Sequence, residues 1–184
     1  LNFDGTNDYV QTTFSGVTGS ADRTFEAWIL LTDTPSGNNC ILDYGPQTAG
    51  NRNTFIVNSN LAIGYISGGT NANITSTSYV VPVDTWTHVA FVLRSSVGYL
   101  YVNGTQVGTG NLSSVNTGTT GTNLRIGQRV PGGSIPFNGN IDEVRVWSHA
   151  RTANEIDSLN GEEICASASG LVAYYRFNEG TANS

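Results

Sequence analysis

The feature that most constrains this chain is a rhythm of short β-forming runs. Each lasts about five to eight residues before glycine, asparagine, serine or proline halts it. "TFEAWILLT", "CILDYG", "NTFIVN" and "LAIGYIS" follow that rule in the first half, and "TWTHVAFVLR", "GYLYVNG", "NLRIGQR", "NIDEVRVW" and "GLVAYYRF" follow it in the second. Within "WTHVAFVLR", Thr87, Val89, Phe91 and Leu93 alternate against Trp86, His88, Ala90, Val92 and Arg94. Successive side chains on a strand point to opposite faces, so the first set reads as a core face and the second as partly exposed. Asn103-Gly104, between two β-rich runs, is the strongest short hairpin signal because both residues tolerate positive φ. Roughly ten or more such runs, without alternating helices, predict an all-β fold: an antiparallel two-sheet sandwich.

One segment departs from the rhythm. In "ARTANEIDSLNG", Thr152 and Glu155 have the spacing of a capping box, Ile156 and Leu159 share a helical face, and Gly161 stands where a helix would stop. The spacing predicts one short helix near 152–160 that packs across the sandwich. No repeat or linker divides residues 1–184, so they read as one module. Both ends look like cuts in a longer chain.

Charge narrows the partners. Only 12% of the residues are charged, the formal net charge is −6, and all eight basic residues are arginine. No basic cluster appears along the sequence, which argues against nucleic acid and anionic membrane surfaces and suits calcium or neutral glycans. No apolar run reaches the roughly 20 residues of a membrane helix, so membrane insertion is not expected. Cys40 and Cys165 are too far apart for a CxxC pattern. They read either as a disulfide closing a long loop in an exported protein or as two independently buried thiols.

Several stretches taken together resemble the laminin G-like, concanavalin A-like jelly rolls of secreted multi-modular bacterial proteins. They are "LNFDGTNDYVQT", "TFEAWI", "DTWTHVAFV" with "GYLYVNGTQVG", "LRIGQR", and above all "FNGNIDEVRVWSHARTANEI". The order and spacing of the matches, which run from Leu1 to Leu159, carry the resemblance. It implies a jelly-roll sandwich in an extracellular or cell-surface protein. "GLVAYYRFNEG" is out of place, since in such modules it usually precedes the "FDG" strand. Its alternation of Leu171, Ala173, Tyr175 and Phe177 against Val172, Tyr174 and Arg176 predicts an ordered strand.

The acids of "NIDEVRVW" decide between enzyme and binding module. Jelly-roll glycosidases need two carboxylates about 5 Å apart. Asp142 and Glu143 are neighbours, so on a regular strand they face opposite ways, and Val144 and Arg145 offer no second carboxylate to either face. No serine lies in a nucleophile context, so catalysis is not expected. Calcium takes hard oxygen ligands. "FDGTNDY" supplies Asp4, Asn7 and Asp8, and "GNIDE" supplies Asn140, Asp142 and Glu143. The resemblance implies that the first and late strands are neighbours and hold a structural calcium through Asp4 and Asp142, with Asn7 and Asn140 beside them. The alternative is that Asp4 and Asp8 stabilise an Asx turn while Glu143 pairs with Arg125 or Arg145.

Sugar recognition asks for aromatic faces and planar hydrogen-bonding groups near loops. Tyr44, Arg52, Tyr65, Tyr79 and Arg129 meet that description, and Ser67–Tyr79 and Gly127–Phe137 are the longest irregular stretches. Trp28, Trp86 and Trp147 sit inside strand patterns and read as core. The sequence thus points to a noncatalytic module for a polysaccharide or glycoconjugate. A protein-binding module of an adhesin and a structural spacer are the alternatives.

Overall fold

The computed structural model describes residues 1–129, 134–158 and 163–178. Among them are thirteen strands and one short helix. The first sheet contains β1 (Asn2–Asp4), β12 (Asn138–Trp147), β3 (Arg23–Leu31), β8 (Thr87–Arg94), β9 (Val97–Val102) and β10 (Thr105–Asn111), in that spatial order. The second runs β2 (Val10–Gln11), β11 (Thr122–Ile126), β4 (Asn39–Gly45), β5 (Asn53–Val57), β6 (Ile63–Ile66) and β7 (Asn73–Thr75). β13 (Leu171–Tyr175) joins the first sheet by pairing with β12. All these pairings are antiparallel, and the two sheets make the sandwich that the rhythm predicts.

Alternation fills the space between the sheets. Phe25, Ala27 and Ile29 of β3 meet Val89, Phe91 and Leu93 of β8 on one side, and Ile41, Tyr44, Phe55, Val57 and Tyr65 come from the other sheet. Phe91 lies at the centre: its ring stacks on Tyr65 at 4.0 Å and is 5.4 Å from Phe25. Each of these rings removes most of its apolar surface from water, the main favourable contribution to such a core.

The outer face of the first sheet is less exposed than alternation suggests. His88, Ala90 and Val92 are buried because helix α1 (Ala153–Ser158) lies over them, with Ile156 packed against Ala90, Val92 and Tyr101. The helix starts with the expected reciprocal cap. Thr152 N donates to Glu155 Oε2 at 2.7 Å, and Glu155 N donates to Thr152 Oγ1 at 3.3 Å. Those bonds from Thr152 hold the Glu155 carboxyl below its ordinary value. Leu159 and Gly161 lie outside the described residues. The β9–β10 hairpin turns through Asn103 (φ 46°) and Gly104 (φ 77°), as the dipeptide predicts. A Cβ on Gly104 would come within 2.3 Å of Asp157, so the turn must be bare where the helix seats on it.

β1 and β13 share one edge of β12. β1 covers Asn138–Asn140, and β13 covers Val144–Trp147. Between them the β12 register against β3 slips by one residue, from Asp142↔Trp28 to Arg145↔Glu26. Glu143, at φ 50°, is the extra residue of this bulge.

Three expectations need correction. Ser67–Tyr79 is not wholly irregular: it contains β7, whose backbone pairs with β6 although only Ile74 of its side chains is buried. Trp86 is not core but 42% exposed, since it stands just before β8 and beyond the helix. Cys40 and Cys165 are unbonded thiols, not a disulfide. Cys40 is held within β4 and fully buried, whereas Cys165 is exposed in the segment leading to β13, so neither are they two buried thiols.

Candidate functional site

The outer face of the second sheet gathers most of the chain's unusual polar chemistry. Register sets one row of side chains across it: Gln11 on β2, Arg125 on β11, Asp43 on β4, Thr54 on β5 and Ile66 on β6. All alternate with core residues, such as Leu124, Ile126, Leu42 and Phe55, so they face away from the sandwich interior. Asp43 anchors the row. It accepts Arg52 Nε at 2.8 Å on Oδ1 and Arg52 Nη2 at 3.0 Å on Oδ2, and Thr54 Oγ1 donates to it at 2.5 Å. A two-pronged guanidinium–carboxylate pair fixes orientation as well as charge, so Arg52 is set in place before any ligand arrives.

Arg52 opens into a cleft of about 190 Å³ that Arg129 lines from the other side, with Gln47, Thr48 and Gly68 among its walls. The wall loops are tied together: Gly50 N donates to Ser67 O at 2.9 Å, and Asn73 Oδ1 accepts Ser67 N at 2.9 Å and Gly68 N at 3.0 Å. Across the row, the Arg125 guanidinium lies 4.1 Å from the centre of the Tyr9 ring, and Tyr9 is 48% exposed. Arg125 also donates to Gln11 Oε1 at 3.1 Å. The face therefore offers an aromatic ring, planar guanidinium groups and side-chain amides within one sheet. Cys40 lies under it, paired with Ile56; burial, with the nearby Asp43 charge, pushes its thiol well up.

Of the residues proposed from sequence, the structure brings Arg52 and Arg129 together and separates the rest. Tyr44 and Tyr65 are fully buried and present no face to a ligand. Their hydroxyls join an internal knot in which Arg23 Nη1 donates to Tyr44 Oη at 3.3 Å and Tyr65 Oη donates to Asn53 Oδ1 at 2.8 Å. Burial raises both phenols above their ordinary value. They were misjudged because a tyrosine near a strand end looks the same from sequence whether it points in or out. Tyr79 is 37% exposed but lines a different groove with Asn58, Asn60 and Thr77, at the β7 rim. Tyr9, Gln11 and Arg125 were missed. Arg125 between Leu124 and Ile126 is an outward signal that alternation does carry.

The four residues proposed for calcium do not form one site. Asp4 stands opposite Asn138, four positions along β12 from Asp142, or about 13 Å at the usual strand rise. A single ion, with ligands at about 2.4 Å, does not span that distance. Asp4 and Asp8 form the alternative Asx turn: Thr6 N donates to Asp4 Oδ1 at 2.8 Å, and Asp4 N donates to Asp8 Oδ2 at 3.0 Å. Asn140 Oδ1 accepts Asn2 Nδ2 at 2.8 Å.

Asp142 and Glu143 also differ from the regular-strand expectation. The bulge lets Glu143 reach the outer side, where Oε2 accepts Arg145 Nη2 at 2.7 Å and the Tyr174 hydroxyl. Burial raises the Asp142 carboxyl, and its Oδ1 accepts the Glu143 amide at 2.9 Å. Next to them, beneath the helix, Glu26 is fully buried. It contacts Arg151, Arg145 at 3.9 Å and His88 at 3.4 Å. Burial alone would raise Glu26, but the close approach of His88 and the Arg151 charge outweigh it, and its carboxyl sits below the ordinary value. This is a closed charge network that joins strands to helix.

A two-sheet jelly roll with a capped helix packed on one face defines a lectin-type sandwich. The chain belongs to the laminin G type 3 family of the concanavalin A-like lectin/glucanase superfamily, whose family model matches residues 4–157. A search of curated protein sequences finds no match. Among solved structures, the chain is similar to a protein of proposed carbohydrate-binding function from Bacteroides ovatus, at 25% identity and a TM-score of 0.71. The match covers 96% of this chain and 52% of that one, so the chain spans about half the length of that relative. It is also similar to the carbohydrate-binding module of the Ruminococcus gnavus IT-sialidase, bound there to α2,3-sialyllactose (17% identity, TM-score 0.62, 88% and 98% covered). A third likeness is to domain 4 of an extracellular arabinanase from Geobacillus stearothermophilus, in complex with arabinotriose (20% identity, TM-score 0.60, 78% and 68% covered). The latter two likenesses establish the fold. No helix among the described residues is long and apolar enough to cross a membrane.

Proposed function

We propose that this chain is a noncatalytic carbohydrate-binding module of an extracellular or cell-surface protein, and that its glycan lies on the outer face of the second sheet. The observation that carries the reading is one sheet face that holds the exposed Tyr9 ring with Arg125 over it and, past Asp43 of β4, the cleft lined by Arg52 and Arg129. Pyranose rings present C–H faces that pack on aromatic rings and hydroxyls that planar guanidinium and amide groups bind, and this face supplies both. The similarity to the Bacteroides ovatus protein supports the same class of ligand. Because Asp43 holds Arg52 and backbone bonds hold the cleft walls, little ordering is left to do on binding. No catalytic role is assigned to Glu143, whose carboxylate is engaged by Arg145 and Tyr174.

The test is retention of the chain by a panel of soluble and insoluble polysaccharides, in calcium and again in EDTA. Retention by at least one polymer is expected, at equal strength in both buffers. Retention by none would remove the proposal and favour a protein ligand or a spacer role.

A further inference from the structure

We infer that the chain holds a second saccharide site, for an uncharged sugar, in the groove between the β5–β6 turn and the loop that follows β7. The inference rests on the carbohydrate-binding reading and deepens it.

The groove has a volume of about 450 Å³ and is lined by Asn58, Asn60, Ala62 and residues 75–80. It lies at β7, one edge of the second sheet, while Tyr9 stands beside β2 at the other edge. Its size falls within the roughly 300–1,000 Å³ of pockets that take small ligands. Tyr79 and Val80, two consecutive exposed apolar residues, form part of its wall. Scattered single apolar residues need no explanation, but this pair shares a concave surface with hydrogen-bonding groups.

Those polar groups define the ligand. None of the lining residues carries a charge. Asn58 Oδ1 accepts the backbone amides of Asn60 at 2.9 Å and Ala62 at 3.1 Å, which fixes the side-chain amide and leaves Nδ2 as a donor. Asn60 adds an exposed amide, and Thr75 and Thr77 add exposed hydroxyls. This set donates and accepts without net charge, as sugar hydroxyls do. A carboxylate or sulfate only accepts and gains more from a guanidinium. A metal ion wants several hard oxygens, and no carboxylate lines the groove. A peptide needs deep apolar anchor points, whereas the buried lining residues, Ala62 and Ser76, are small. The Tyr79 ring offers the apolar face that the C–H side of a pyranose packs on.

The wall that carries Tyr79 is fastened on both flanks. Ser76 N donates to Ile63 O at 2.9 Å and Val81 N to Leu61 O at 2.7 Å, while Thr77 N donates to Val107 O of β10 at 3.2 Å. Ser78 Oγ donates to the same Val107 carbonyl at 3.2 Å, and Ser76 Oγ donates to Tyr79 O at 3.2 Å. The platform is therefore set before a sugar arrives, which lowers the ordering cost of binding.

The experiment compares the chain with its Tyr79→Ala, Tyr79→Phe, Asn60→Ala and Trp86→Ala variants, each confirmed folded by circular dichroism. Dissociation constants are read by affinity electrophoresis in gels that contain neutral xylan, arabinan or β-glucan, or the anionic polygalacturonate. Trp86 is exposed just before β8 of the other sheet, so its variant removes an aromatic side chain elsewhere. Retardation by at least one neutral polymer is expected. Tyr79→Ala and Asn60→Ala should each weaken it about three- to tenfold, the scale of one ring contact or one hydrogen bond. Tyr79→Phe keeps the ring and should stay within about twofold of the parent chain, and Trp86→Ala should change nothing. Neutral-polymer binding that both groove variants leave intact, or that Trp86→Ala weakens equally, would overturn this inference and leave the carbohydrate-binding reading standing. Binding to polygalacturonate alone would do the same. Retardation by no polymer would overturn both.

Discussion

The two outer faces of this sandwich carry similar groups and put them to opposite uses. On the first sheet, Glu26 gathers Arg145, Arg151 and His88 beneath a helix, and every member of the group is buried. On the second, Asp43 gathers Arg52 and Thr54, which are buried too, but Arg125 and Arg129 beside them are only partly buried and no helix among the described residues lies over them. A lid of one helical turn and a half makes the difference. Covered throughout, an acid–arginine cluster joins elements; without a lid, its outermost arginines stay partly exposed. The location of a polar cluster thus says less about its role than what lies over it.

Stability measurements can break that contrast. Glu26→Gln leaves buried guanidinium charge without its carboxylate and should lower stability by about 3–5 kcal/mol. Asp43→Asn should cost less, about 1–3 kcal/mol, because water reaches Arg52 through the cleft. Denaturant midpoints for the two variants would check the order, and equal losses would show that both clusters are structural in the same sense. A second effect concerns pH. Glu26 titrates lower in the folded chain than unfolded, so its contribution is complete above its ordinary value, near 4.5, and is lost as pH falls through the folded value. The stability of the chain should therefore fall below about pH 4.5 more steeply than that of Glu26→Gln. Urea midpoints across that window would show it. The smallest effect sharpens the comparison kinetically. Hydrogen bonds with Ser167 lower the exposed Cys165 thiol, and burial raises that of Cys40. Mild alkylation at neutral pH, followed by mass spectrometry, should modify Cys165 first. Cys40 should react only when the second sheet's outer face opens, and prompt labelling there would show a looser face than this structure has.

The elements that were legible in the sequence have local causes. The Asn103-Gly104 turn and the Thr152–Glu155 cap are set by two and four residues respectively, and both stand as read. Alternation in β8 gave its core face correctly but not its outer one, because the covering helix comes some sixty residues later in the chain. β7 was hidden because it is only three residues long, within a stretch rich in glycine, asparagine, serine and threonine, and is held by the β6 backbone. The candidate site was half legible. Arg52 and Arg129 were picked singly, but their meeting depends on sheet register. Residues far apart in the sequence meet once β11 lies beside β4, where Arg125 stands opposite Asp43 and Asp43 holds Arg52.

The Glu143 bulge has a consequence for self-association. The strand around it would keep its alternation without the extra residue, since Asp142 already faces out and Val144 in. What Glu143 adds is a hold on Tyr174, and so on β13, which covers the β12 edge from Val144 to Trp147. Loosening that hold bares a row of backbone amides and carbonyls next to Val144 and Val146, the kind of open border to which another polypeptide can add. One carboxylate at a one-residue irregularity thus adds a side-chain hold to the backbone pairing that keeps β13 on this edge.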